Sequence, residues 1–241
     1  MSHKLKVLIV GVSGGAGYVY ERDCSSSFII LKNEQPLCLV DLGLGVTAKL
    51  HELGYEIPPN VIITHNHTDH SGELPVVARV EHAKGRPLKI LSEPQVAERL
   101  KHHRLAEHLE LFSADELVDW VSADEGRFFL DEEYFITFHA TQHSELCFGF
   151  VLSQLTPSGA KAVLGYTADS GAFAPLYAQM ESCSVAIFDA RPKGNAWHAG
   201  FDEVAPYMGD GRYILGHGVT EFDKYPQLPL LKSGQMITIT E

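Results

Sequence analysis

Short apolar runs punctuated by Gly, Pro, Asp and Asn recur along the whole chain. They predict strands over 5–10, 27–32, 37–40, 61–63, 88–91, 134–139, 146–153, 161–166, 185–189, 212–215 and 235–240. These runs are rich in Val, Ile, Leu, Phe and Tyr, which suit a pleated, buried surface. Longer stretches between them predict helices over 45–54, 70–83, 94–109, 172–181 and 201–208. Pro94, directly after Ser92-Glu93, marks a helix start, because proline is tolerated in the first turn. Helices follow several of the strands, so the class is α/β or mixed α+β. No repeat, low-complexity tract or linker interrupts the pattern, and one domain over 1–241 is expected.

Composition narrows the setting. Apolar residues make up 45% and charged residues 21% of the 241 residues, ordinary globular usage with enough length for a large core. No apolar run approaches the roughly 18 residues of a membrane span. The run Lys4–Gly11 reads as a first strand and not as a signal peptide, which needs a longer apolar stretch and a small-residue cleavage site. Cys24, Cys38, Cys147 and Cys183 show no C-x-x-C spacing and read as reduced structural thiols, so a cytoplasmic protein is expected. The formal net charge of −12 disfavours a long nucleic-acid footprint, which needs a basic face. The expected partner is a small-molecule substrate, with no membrane and no long nucleic acid; a homodimer is compatible with this picture.

The densest chemistry lies in Thr64-His65-Asn66-His67-Thr68-Asp69-His70, just after the apolar Val61-Ile62-Ile63. Buried imidazoles and carboxylates need partners, and a strand-to-loop turn offers few. A divalent ion is the natural partner, since imidazole and carboxylate together suit Zn, Fe or Mn. In an extended segment His65 and His67 point the same way and can grip one ion. Asp69 and His70 lie where the chain turns into a helix and can grip a second. The glycine-rich Gly11–Gly17 also follows a strand, but it departs from G-x-G-x-x-G and lacks the Lys-Ser/Thr of a P-loop. Its glycines are read as permitting a tight turn near the metal site, where backbone N–H groups could touch an anionic substrate.

The cluster reads H-x-H-x-D-H, and with it the chain resembles the metallo-β-lactamase superfamily of metal-dependent hydrolases. Further landmarks follow in order: Asp41-Leu42-Gly43, His143-Ser144 with Phe148-Gly149-Phe150, Tyr166–Gly171 with Asp169, and Gly216-His217-Gly218. The resemblance implies a four-layer αβ/βα sandwich with two divalent ions at one edge between two sheets, zinc foremost and manganese or iron as alternatives. It implies that His65, His67 and His143 bind the first ion, that Asp69, His70 and His217 bind the second, and that Asp169 bridges both. Asp69 signals the dinuclear form and is expected to bear on catalysis. Two such ions acidify a bridging water to hydroxide, a nucleophile. His139 rivals His143, but it ends a strand-like run, and Ser144 and Phe-Gly-Phe follow His143. Asp189 is the next carboxylate to consider if Asp169 is not the bridge. His3, His51, His82, His102, His103 and His108 read as surface residues.

His198, in Trp197-His198-Ala199-Gly200, lies 19 residues before His217. In the ribonuclease Z-like branch a His in this place pairs with the motif Asp and assists phosphodiester cleavage, which implies that His198 protonates the leaving alkoxide or stabilises phosphoryl oxygens. Cys24-Ser25-Ser26-Ser27 resembles the Ser-Ser turn of the same branch, where backbone bonding by the hydroxyls is the expected role. Two departures count. The branch's Asp-Cys-Gly is Asp-Leu-Gly here, and 25 residues between His143 and Asp169 leave no room for a tRNA-gripping arm. The expected function is thus a dinuclear metal-dependent phosphodiesterase acting on a small nucleotide-like diester, cyclic or otherwise. The alternative is hydrolysis of a carboxylic ester, thioester or lactone on the same metals.

Overall fold

Successive residues of β1 (Leu5–Gly11) enter different cores. Val7 and Ile9 face one buried cluster, while Leu8 and Val10 face another. Strands buried on both faces read as near-continuous apolar runs, which is why the pattern above shows little polar alternation. The computed structural model describes residues 5–15, 17, 20, 24–217, 219 and 222–239. After β1 come β2 (Ser27–Lys32), β3 (Gln35–Val40), β4 (Asn60–Ile62), β5 (Leu88–Leu91) and β6 (Val118–Trp120). The chain then makes β7 (Phe128–Phe129), β8 (Tyr134–Ala140), β9 (Phe148–Thr156), β10 (Gly159–Tyr166), β11 (Val185–Asp189) and β12 (Arg212–Leu215), and returns through β13 (Met236–Ile239).

Two sheets result. One is seven-stranded in the order β13-β1-β2-β3-β4-β5-β6, the other six-stranded in the order β12-β11-β10-β9-β8-β7. Their facing sides share one core, in which Phe28 of β2 meets Tyr166 of β10 edge-on at 5.0 Å. Phe28 and Phe150 are fully buried there, and each such side chain contributes about 1.5–3 kcal/mol of transfer free energy. The outer face of the first sheet packs on α1 (Val46–Glu52), α3 (Leu74–Ala83) and α4 (Pro94–His103) through Leu50, Val77, Val96 and Leu100. The outer face of the second packs on α6 (Ala174–Glu181) and α7 (Phe201–Val204) through Tyr177, Met180 and Phe201. The fold is therefore the four-layer αβ/βα sandwich that the resemblance implies.

Several elements depart from the sequence pattern. The helix expected over 70–83 is two, α2 (Thr68–Ser71) and α3, divided at Gly72-Glu73. Glu73 is drawn instead to the start of α1, where its carboxylate accepts from Gly45 N–H at 2.7 Å and Thr47 N–H at 2.8 Å. The helix expected over 94–109 stops at His103, followed by a 3₁₀ turn over Ala106–His108. β6, β7 and α5 (Ala114–Leu117) are additional, each too short to show a period. Position 240 of the last expected strand and His3 lie outside the described residues.

Topology places the chemistry. β3, β4 and β5 run parallel, as do β10, β11 and β12. Carboxyl ends of parallel strands are where α/β sheets gather ligand-binding loops. Asp41 follows β3, His65 follows β4, Asp169 follows β10, Asp189 ends β11 and His217 follows β12.

Candidate metal centre

The loop from β4 carries His65 and His67, and α2 directly after it carries Asp69 and His70. An antiparallel bridge between His65 and Cys147, and a bond from Phe148 N–H to Thr64 O at 3.2 Å, tie the loop to the strand leading out of the His143 loop. Across this junction the donor atoms of His65, His67, His143 and Asp169 form one group, and those of Asp69, His70 and His217 another, each within 4.8 Å. Asp169 Oδ2 lies between them, 3.9 Å from His65 Nε2, 3.8 Å from His143 Nε2, 3.5 Å from His70 Nε2 and 3.6 Å from His217 Nε2. The structure thus brings together the seven residues singled out in the sequence. His139 stands apart, with its Nε2 at 3.2 Å from Thr137 Oγ1 along the strand.

These residues fit divalent ions on the chemistry of their unpaired atoms. His65 Nε2, His70 Nε2 and Asp169 Oδ1 are buried with no hydrogen-bond partner, an arrangement that is costly unless something else ligates them. His67 Nδ1 and His143 Nε2 are only 3.2 Å apart. The opposite ring nitrogens are occupied: His70 Nδ1 donates to Asp41 at 2.8 Å, His65 Nδ1 to Thr64 Oγ1 at 3.0 Å, and His143 Nδ1 to Trp197 O at 3.1 Å. Such bonds fix tautomer and ring orientation and leave Nε2 as the free lone pair, the usual arrangement around a metal-ligating histidine.

Asp41 does more than close a turn. Thr64 Oγ1 donates to its carboxylate at 3.0 Å while accepting from His65, so one buried carboxylate orients a histidine in each donor group. Its φ of 60° lies in the left-handed region. Gly43, two residues on, has no alternative: a Cβ there would stand 1.9 Å from the carbonyl oxygen of Asp69. A second brace comes from Arg104, which leaves the end of α4 and donates to Asn66 Oδ1 at 3.0 Å and Ser71 Oγ at 2.9 Å, with a further bond to Asn66 O.

Electrostatics follows from this crowding. Burial pushes the Asp169 carboxyl up, but His217, His70 and His65 around it prevail and hold it well below the usual carboxylate range. Asp69 is lowered in the same way, with burial opposed by His70 and His217. Burial and the neighbouring His70 depress His65. His70 itself is raised, because Asp169, Asp41 and Asp69 outweigh its burial. Ionised carboxylates beside imidazoles form a donor set that a divalent cation satisfies more fully than shared protons do.

His198 stands beside the cluster, with its ring 5.2 Å from those of both His143 and His217. Its Nδ1 donates to Asp189 Oδ2 at 2.8 Å. The carboxylate that holds it is therefore Asp189 and not Asp69 of the H-x-H-x-D-H motif, the partner the resemblance implies, although His198 also comes within 4.8 Å of Asp169 and His217 in a third potential donor group. Asp189 is buried and also accepts from Ser170 N–H at 3.2 Å. The glycine loop reaches the same place: a Cβ on Gly14 would come within 2.8 Å of the His217 ring. The serine turn is structural, with Ser26 Oγ donating to Ser13 O and Ser27 Oγ to Val40 O. Arg104, Arg191 and the pairing of Asp189 with His198 were not read from the sequence. A buried carboxylate closing an apolar strand, as Asp189 does, was the available signal.

The site opens into a cavity of about 420 Å³ lined by Gly14, Gly15, Gly17, His67, Asp69, His143, Ser144, Asp169, Arg191, Trp197, His198 and His217. No curated protein sequence matches the chain. Among solved structures, the metallo-β-lactamase fold protein YhfI from Bacillus subtilis superposes with a TM-score of 0.73 at 18% identity, covering 98% of this chain and 99% of that chain. A diphosphatase from the PhnP family gives 0.73 at 12% identity over 99% of this chain and 98% of that one. Human tRNase Z, short form, gives 0.67 at 16% identity over 98% and 100%. These likenesses establish the metallo-β-lactamase fold. The family described as Anti-Pycsar protein Apyc1 matches residues 5–212, and the chain, matched over most of its length, belongs to that family.

Proposed function

We propose that the chain is a metal-dependent hydrolase, specifically a phosphodiesterase acting on a small nucleotide-like diester, cyclic or otherwise. The observation that carries the reading is His198, held by the buried Asp189 at 2.8 Å with its ring beside the donors His143 and His217. His65, His67, His143 and Asp169 would hold one divalent ion, and Asp69, His70, His217 and Asp169 a second, zinc before manganese or iron. Ions there supply Lewis-acid charge against phosphoryl oxygens and lower the pKa of water. The protein's own part is separate. Asp189 holds the ring through Nδ1–H and so turns Nε2 outward; the proton passed to a departing alkoxide would be Nε2–H of the doubly protonated ring, which returns to the neutral imidazole with its proton on Nδ1.

Two further observations support a small substrate. The segment between His143 and Asp169 is taken up by the β9–β10 hairpin, which leaves no inserted arm. The diphosphatase of similar fold favours phosphoester chemistry on a small substrate, whereas the similar tRNase favours the phosphodiester chemistry alone. No helix among the described residues is long and apolar enough to cross a membrane. The buried free cysteines suit the cytoplasmic setting proposed here.

The test is an assay of the chain with added Zn or Mn against bis-p-nitrophenyl phosphate, p-nitrophenyl phosphate and a panel of lactones and thioesters. Turnover of the diester well above the monoester and the panel is expected. Turnover confined to lactones or thioesters would replace this reading with carboxylic ester chemistry on the same residues.

A further inference from the structure

The loop from Arg191 to Gly200 carries His198, and its two ends are stitched together. Arg191 N–H donates to Ala199 O at 3.0 Å, and Phe201 N–H donates to Arg191 O at 2.9 Å. Its middle is fixed as well: Asn195 Oδ1 accepts from Trp197 N–H at 2.8 Å and from His198 N–H at 2.9 Å, while Trp197 O receives His143 Nδ1–H. The backbone of Trp197 is thus bonded directly to the candidate metal centre. The residue nevertheless remains 46% exposed and lines the cavity. A rigidly mounted aromatic face open to a polar cavity is a stacking platform, and stacking needs no matching hydrogen-bond pattern.

Arg191 supplies the other half. Among the described residues it is the sole Arg or Lys lining this cavity, and none of the ion pairs involves it. Its Nε is buried without a hydrogen-bond partner. No protein acceptor therefore engages this nitrogen, and the guanidinium's outer N–H groups are the ones that can meet an anionic oxygen in the cavity. The cavity volume of about 420 Å³ falls within the roughly 300–1,000 Å³ usual for small-ligand pockets.

We propose that Arg191 and Trp197 form a recognition subsite for a nucleotide, Arg191 holding a non-bridging anionic phosphoryl oxygen and Trp197 stacking on the base. The proposal rests on the phosphodiesterase reading for the chemistry of its ligand and adds the residues that select it. One loop then delivers both selection and His198, so that seating the base and phosphate sets the distance between the scissile bond and the proton donor.

Binding without turnover tests it. The metal-loaded full chain is titrated calorimetrically with thymidine 5′-monophosphate and, separately, with methyl phosphate, which shares the phosphate and lacks the base. Wild type should prefer the nucleotide. Trp197→Ala should collapse that preference by roughly five- to a hundredfold, the scale of losing one base stack, and Trp197→Phe should keep most of it. Arg191→Met should weaken both probes by a similar factor, with partial recovery in Arg191→Lys. Equal losses of both probes in Trp197→Ala, or wild-type affinity for both in Arg191→Met, would overturn the subsite. A wild type that cleaves diesters yet shows no preference for the nucleotide would sink the subsite and spare the activity. A clear preference in a chain that cleaves no diester would do the reverse.

Discussion

The two sheets contribute to the same cluster in different ways. The first half of the chain brings His65, His67, Asp69 and His70 on one short stretch of loop and helix start, braced by the side chains of Asp41, Thr64 and Arg104. The second half brings His143, His198 and His217 on separate loops joined to one another by backbone bonds, Gly171 N–H to Gln142 O and Ala199 N–H to Ser170 O, with the side chains of Asp189 and Asn195 holding the His198 segment. The first half fixes donor geometry before any ion arrives. The second fixes what stands around a substrate. Changes to the braces of the first should therefore read out as metal affinity, and changes in the second, away from the donors, as turnover.

The widest effect is expected where the halves meet. Asp169 faces donors from both, so Asp169→Ala should lose metal by elemental analysis and abolish turnover. Full metal and activity in that variant would mean that the carboxylate joining the two halves has been misassigned. Next, His198→Ala should retain its metal content while kcat falls by roughly 10²–10⁴-fold, the scale of positioned acid–base catalysis. The loss should be greater for an alkyl alkoxide leaving group than for p-nitrophenolate, which hardly needs protonation. If metal is lost together with kcat, His198 belongs with the donors and the division between halves fails.

Asp41→Asn replaces one of the two acceptor oxygens by an N–H donor, so the side chain can no longer accept from His70 and from Thr64 together. Metal affinity, measured by competition with a chromophoric chelator, should fall by about 10–100-fold, as for other partners of ligating histidines, with kcat at saturating metal much less affected. The smallest change is expected from Arg104→Lys. Lysine keeps the charge but cannot make the forked bonds to Asn66 and Ser71, so a loss on the order of 1 kcal/mol of stability and a few-fold weaker metal binding should appear in thermal melts and chelator competition. An Arg104→Lys protein with weakened substrate turnover but unchanged metal affinity would contradict its role as a brace of the first half.

The same contrast explains what the sequence makes legible. Four donors within residues 65–70 announce themselves because the braced loop is local. His143 and Asp169 become readable only in the order of motifs, since the contact that orients His143 reaches Trp197, 54 residues away. Arg104 was hidden inside an expected helix over 94–109; the helix stops one residue earlier, and the side chain turns inward to Asn66. No periodic pattern marks such an exit. Asp189 carried a signal, a carboxylate at the end of a buried strand, but nothing in the sequence says that its partner is His198. Strands β6 and β7, only three and two residues long, leave no alternation for the sequence to display. The Ser113-x-x-Glu116 capping box that opens α5 is a helix-start signal in the sequence, but no apolar period follows it to mark a helix.

Those short strands bear on how the protein behaves in company. β6 and β7 each close one side of their sheet, and an outer strand with free N–H and C=O groups is a template on which another chain can zip. A two-residue border such as β7 gives a stranger almost nothing to pair with. On the far side of the same sheet, Ile214 of β12 is already bridged to Leu230, so part of that border is occupied by the chain itself. With a net charge of −12 adding mutual repulsion, concentrated solutions should resist strand-to-strand aggregation, although both sheets are almost wholly apolar within.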